Sequence, residues 1–334
     1  MFAYIIKKTA YGLLVMLGVV SLIFVLFNIL PGDPARMMLG QNADQESIDL
    51  LHKELGLDKP LGIRYLRYLN DLSPVGIDCN GNFGFKMPEL GRSYQSDRSV
   101  SSILAEAFPN TILLALVSIT MAFVLGVLFG SVAAIYKDTW IEKAILLITS
   151  LGMSLPSFFA AILIAWIFAF LLADYTGLSM FGSLYGVDDF GRGEYVDLKN
   201  IILPAVTLGI RPLSVICELT KSTMKEVLQQ DYIRTAKAKG LSMFRIIKNH
   251  ALRNTLNPVV SSISSWFASL LAGAVFVEYI FDWKGVGVVI VDSLEKYDFP
   301  VLMGALIVIC IMLVIINILT DIVYAFLDPR IKIA

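Results

Sequence analysis

The sequence predicts an all-α membrane protein of six transmembrane helices, with both termini on the cytoplasmic side and an external region after the first helix. Composition, the lengths of the apolar runs and the alternation of charge between loops carry that reading. Hydrophobic residues make up 57% of the 334 and charged residues 16%, against roughly 45–50% and about 25% in soluble globular chains. Such a surplus of apolar side chains calls for lipid as the solvent. The net charge of -1 supplies no broad field for nucleic acid or for a strongly charged substrate, so where charges sit matters more than their sum.

A helix rises about 1.5 Å per residue and needs about 20 apolar residues to cross the hydrocarbon layer. Stretches 9–30, 111–135, 144–173, 258–277 and 301–320 contain no Asp, Glu, Lys or Arg. A sixth, 200–217, is shorter and holds Pro204, Gly209, Arg211 and Pro212, so its crossing rests on the charges around it. The helix is expected to break or bend between Gly209 and Pro212. Arg211, well inside a predicted span, is then a candidate for the translocation pathway, because an intramembrane guanidinium needs water or a carboxylate. The first stretch is longer than the apolar segment of a signal peptide and ends in Leu30-Pro31-Gly32-Asp33-Pro34, without a small-residue cleavage site, so it is expected to remain as a span.

Loop charges set the orientation. Segment 218–257 holds eight Lys/Arg against three acids, whereas 174–199 and 278–300 each hold five acids and two Lys/Arg. The basic loop belongs inside and the acidic loops outside, which requires 200–217 to cross. Lys7, Lys8, Arg330 and Lys332 place both ends on the inner side. The expected organisation is a first helix over 1–30, an external region over 31–100, and a five-helix membrane domain over 101–334 that displays the loop 218–257.

Several chemistries lack residues. Cys79, Cys217 and Cys310 are far apart, and His52 and His250 fall on opposite sides of the predicted membrane, so no metal site is expected. The glycines around 81–84 and 90–93 lack the following Gly-Lys-Ser/Thr of a phosphate-binding loop and are expected to form turns. No nucleophile and base pattern appears, and no catalytic residue or cofactor is assigned. The serines at 261, 262, 264 and 265 suit close helix packing.

Loop 218–257 is too regular for a linker. Met224, Val227, Leu228, Tyr232, Thr235 and Ala236 recur at helical spacing, which predicts one amphipathic helix. Gly240 is its C-cap glycine, and Ser242 can N-cap a second helix with Met243, Ile246, Ile247 and Ala251 on one face. Such an apolar stripe either lies on lipid or enters a groove on a partner.

The run Asp231-Tyr232-Ile233-Arg234-Thr235-Ala236-Lys237-Ala238-Lys239-Gly240-Leu241-Ser242, followed by His250-Ala251-Leu252-Arg253, resembles the coupling signature of permeases in bacterial peptide and nickel ABC importers. In importers generally that signature reads EAA, three residues, glycine, nine residues and I-x-L-P. Arg234, Thr235 and Ala236 stand at the EAA positions, and only Ala236, Gly240 and Leu252 match the general form. Leu30 to Pro34, Leu155-Pro156-Ser157-Phe158, Leu203-Pro204-Ala205 and Asp328-Pro329-Arg330 are similar to further motifs of the family, in an order that resembles its B-type permease. Glu278, Phe281, Gly285 and Gly287 fit an ExxFxxPGxG pattern with Lys284 in place of proline.

The resemblance implies an ABC type I importer permease-like fold and a non-catalytic subunit. Expected partners are a second homologous permease, two ATP-binding ATPase subunits, an external solute-binding protein and membrane lipid. It points to ATPase coupling through Arg234, Thr235, Ala236, Gly240, Leu241, Ser242, His250 and Leu252, and to di- or oligopeptides as cargo, with nickel or another small solute as the alternative. A secondary carrier driven by an ion gradient is the rival from another class. It calls for ionisable residues inside spans, of which Arg211 is the main example.

Overall fold

The computed structural model describes residues 2–29, 44–54, 56–77, 82–187 and 194–327. The motifs at 30–34 and 328–330, and Cys79, lie outside them. Among the described residues the chain is mostly helical, and the contacts divide it into two units, 2–108 with 289–314 and 109–288 with the segment from 315 onward.

The first unit contains helix α1 (Phe2–Ile29), α2 (Gln45–Glu54), α3 (Leu61–Leu72) and a hairpin of β1 (Val75–Ile77) with β2 (Phe83–Phe85). It also takes in the start of α4 (Val100–Ile135), most of α13 (Val286–Glu295) and the start of α14 (Phe299–Leu327). Val20, Ile23 and Ile307 form its buried seam between α1 and α14. Helix α3 begins after Pro60 at φ -54°, a dihedral that suits helix entry. Its Tyr65, Tyr68, Leu69 and Leu72 follow one-face spacing, and both tyrosine rings pack on Phe24 of α1, at centroid distances of 5.1 and 5.7 Å. The Asn70 amide pins the hairpin by bonding both backbone groups of Ile77, at 2.8 and 2.9 Å. Asp298, ahead of α14, accepts from the Ser93 hydroxyl and from the Tyr94 N–H.

The second unit contains the rest of α4, α5 (Trp140–Ser154), α6 (Ser157–Ala165) with a π-turn over Trp166–Leu171, and α7 (Ala173–Thr176). A hairpin of β3 (Tyr185–Val187) with β4 (Glu194–Val196) leads to α8 (Ile202–Val227), then α9 (Asp231–Ala238) and α10 (Met243–Ile246). A π-turn, Ile247–Ala251, joins α10 to α11 (Leu252–Gly273), and α12 (Val275–Ile280) follows. Helix α8 is central and packs against α5, α6, α11 and α12. At Gly130 of α4 an added Cβ would lie 2.5 Å from the Cys217 carbonyl oxygen, so a small residue is what admits α4 to the α8 backbone.

Among the described residues four helices are long and apolar enough to cross a membrane, Lys7–Asn28, Val100–Ile135, Leu198–Val227 and Phe299–Thr320, or five if a bent pair counts as one span. The predicted span 144–173 is instead a bent pair, with Trp140–Ser154 and Ser157–Leu171 meeting at 113°. Proline explains the break. Pro156 offers no N–H and drives the preceding residue out of the helical region, and Leu155 is extended at ψ 135°. Stretch 258–277 is shared between α11 and α12, which part at Ala274.

Helix α8 corrects the expected break. It runs without interruption through Gly209, Arg211 and Pro212. A proline in a helix interior removes one backbone hydrogen bond, and here the burial of Pro212 and of the two residues after it holds the helix through that loss. Pro212, Leu213 and Ser214 are all buried, and the Ser214 hydroxyl donates to the Thr149 carbonyl of α5.

Candidate functional site

The basic loop 218–257 folds back on the ends of its own helices. Met224 to Ala236 do not form one helix as their spacing predicts. Helix α8 stops at Val227, a turn follows, and α9 starts at Asp231 after Gln230, which is extended at ψ 152°. An acidic residue in the first turn suits the helix dipole, so the chain restarts there. The sharp corner turns Ile233 and Ala236 back toward Met224 and Val227, and all four are buried in a cluster with Ile246, Ala251 and Ala134 of α4. The apolar stripe that the sequence left open to lipid or to a partner is therefore covered mostly by the chain itself.

Gly240 takes the C-cap role predicted for it. Its φ is +79°, a region costly for residues with a Cβ. The Gly240 N–H donates to the Lys237 carbonyl at 2.9 Å and the Leu241 N–H to the Ala236 carbonyl at 3.3 Å, the paired bonds of a Schellman cap. Ser242 occupies the N-cap of α10, but its side chain makes no capping bond.

The predicted residues divide between two environments. Ala236 is in the cluster, and Leu241 and Leu252 pack at its edge. Arg234, Thr235, Gly240, Ser242 and His250 are exposed. Helical spacing did not single out Phe244, which is 74% exposed on α10 because it points away from the face that carries Ile246. Its signal in the sequence was a large aromatic residue between Met243 and Arg245, off the buried register. Beside the loop, Lys221 of α8 pairs with Glu142 of α5 at 2.6 Å, with both side chains largely buried. Arg211 lies on the exposed side of α8 and pairs with no carboxylate among the described residues.

A second arrangement explains the Glu278 motif. The Glu278 side chain is fully buried, and a Cβ built on Gly285 or on Gly287 would fall within 2.7 Å of its carboxylate oxygens. The glycines are the space the carboxylate occupies. Val286 N–H donates to Thr111 Oγ1 at 2.9 Å, Trp283 Nε1 to the Asn110 carbonyl at 3.0 Å, and Asn110 Nδ2 to the Lys284 carbonyl at 2.8 Å. These bonds fasten the turn 281–287 to α4. Lys284 contributes its carbonyl, while its side chain is exposed on Asp282, so the usual proline is not needed for this attachment. No cluster that could hold a metal occurs among the described residues.

Residues 126–333 match the family described as binding-protein-dependent transport system inner membrane component, and residues 1–115 match its N-terminal companion. A Brucella suis protein provisionally named a peptide permease is 35% identical over all of both chains. The di/tripeptide transport system permease protein of Pseudomonas aeruginosa is 33% identical, over 99% of each chain. The dipeptide transport system permease protein of Alkalihalophilus pseudofirmus is 31% identical, over 99% of this chain and 100% of its own. Among solved structures, the inward-facing MetNI methionine ABC transporter aligns at a TM-score of 0.54 and 14% identity, over 68% of this chain and 97% of that one. That likeness concerns the fold. With both segments matched and relatives aligned end to end, the chain belongs to the family of inner membrane components of binding-protein-dependent transport systems.

Proposed function

We propose that the chain is a permease subunit of an ATP-binding cassette importer and forms, with a second homologous permease, the translocation pathway for di- or oligopeptides. Six spans with both termini cytoplasmic place the loop 218–257 on the ATPase side and the segment 31–100 on the side of the solute-binding protein. The observation that carries the reading is the loop. It is a compact two-helix element fixed to the ends of α8 and α11 by its own buried cluster, and it exposes Phe244 as well as Arg234, Lys237 and Arg245. A docking element needs that combination of a rigid base and an exposed aromatic anchor. Two ATPase subunits that close on ATP press on this element and switch the permease pair. Peptide as cargo is supported by the names of the relatives.

The test is reconstitution with the second permease, the two ATPases and the binding protein. Single cysteines belong at Thr235 and Ser242, since Ala236 is buried. Crosslinks to an ATPase, together with ATP-dependent peptide uptake, are expected. Uptake driven by an ion gradient without ATPases overturns the reading in favour of a secondary carrier.

A further inference from the structure

The first unit encloses a cavity of about 550 Å³ between the C-terminal end of α1, helix α3, segment 89–97 and the start of α14. That volume lies in the range of small-molecule sites, about 300–1,000 Å³. Its apolar wall combines Phe24, Phe27 and Phe299 with Leu57, Ile63 and Met303, and the rings of Phe27 and Phe299 are 5.3 Å apart at their centroids. Two polar atoms there are buried without a partner among the described residues, Asn28 Oδ1 and the Tyr68 hydroxyl. The Asn28 amide nitrogen donates to the Phe24 carbonyl at 2.7 Å, so the oxygen is the free end.

The charges on the wall are of both signs. Asp71 is held by Lys86 at 3.6 Å and Asp97 by Arg92 at 3.5 Å, which leaves Lys59, Arg64, Arg67 and Glu89 of the wall without an ion pair among the described residues. A simple anion suits the arginines and is repelled by Glu89. A molecule that carries both charges can meet these cations and Glu89 together.

We propose that this cavity binds a small zwitterion with an apolar side chain, of the kind a short peptide presents. The proposal deepens the reading of the chain as a peptide importer subunit and rests on it. The carboxylate faces Arg64 and Arg67, the ammonium faces Glu89, and the side chain lies on the phenylalanines.

Titration of the purified full chain in detergent with alanyl-phenylalanine tests this, beside its N-acetylated form, its C-terminal amide and inorganic phosphate. Saturable binding is expected, weakened about tenfold or more by blocking either end and by Arg64→Gln, a loss of about 1.4 kcal/mol. Glu89→Gln, at an exposed position, should weaken the free peptide and leave the acetylated form unaffected. Equal binding of blocked and free peptide, or no saturable binding up to about 10 mM, overturns the proposal. Binding of phosphate alone also overturns it, as does binding only of an anionic phospholipid in nanodiscs, because both mark an oxyanion site. ATP-dependent uptake by the reconstituted complex without binding here removes the cavity site and leaves the import function standing. Binding without such uptake does the reverse.

Discussion

The Glu278 carboxylate accepts a hydrogen bond from the Gly287 N–H at 2.6 Å in a site with no exposure to solvent. The other carboxylate oxygen accepts no hydrogen bond among the described residues. Gly285 and Gly287 are thus fixed by a side chain seven to nine positions before them, and the motif reads as one packing unit.

Gly287→Ala should lower the unfolding midpoint of the purified chain in detergent. The new Cβ would stand 2.5 Å from the Val275 Cα, a backbone atom that cannot turn aside, and overpacking of this kind costs about 1–3 kcal/mol. The double variant with Glu278→Ala should recover only part of that loss, because the Val275 contact remains. An unchanged midpoint for Gly287→Ala would show that the turn yields.

Burial pushes the Glu278 carboxyl up to about 7, with the Thr111 hydroxyl and the Gly287 N–H offsetting part of the rise. A raised folded value means that the native state holds the proton longer than the unfolded one. Stability is therefore full below about 4.5, the ordinary value, falls as pH rises through about 7, and is flat above it. The span of the loss is on the order of 3 kcal/mol. Melting curves from pH 4.5 to 8 should show this decline in the natural chain and a flatter profile in Glu278→Gln. Identical profiles would remove Glu278 as the source.

Gly240→Val should weaken ATPase attachment or separate hydrolysis from uptake, while membrane insertion stays normal. A β-branched residue at φ +79° costs about 1–2 kcal/mol and misdirects α10. Phe244→Ala tests the same docking without backbone strain and should reduce ATPase retention on purification by about tenfold, the scale of an anchor residue. Normal coupled uptake in both variants would leave the loop without its assigned role.

Arg211→Ala should reduce uptake in a complex that assembles normally. Its side chain faces away from the packed side of an otherwise well-buried helix, where a charged group calls for water or a partner. Equal uptake of every accepted peptide would place the guanidinium outside the pathway.

Much of this architecture was legible in the residues. Apolar runs free of charge located α1, α4 and α14, which extend past those runs into charged residues such as Lys8 and Glu106, and Gly240 announced its own left-handed turn. The places where the sequence misled are those where packing outweighs a local rule. Proline broke the chain at Pro156, where the flanking segments diverge, and failed to break it at Pro212, where α8 is held on several sides. The spacing from Met224 to Ala236 is helical because both ends of a corner face the same cluster, and periodicity alone does not distinguish that from one straight helix. Phe244 stayed unread because a residue that leaves a pattern is invisible to a search for the pattern.

The π-turn at Ile247–Ala251 joins α10 directly to α11, and only a short turn separates α8 from α9. The loop thus has no slack at either root. A displacement applied at its tip has nowhere to dissipate before it reaches two long helices, and because those helices pack on each other, it arrives as one movement of the pair.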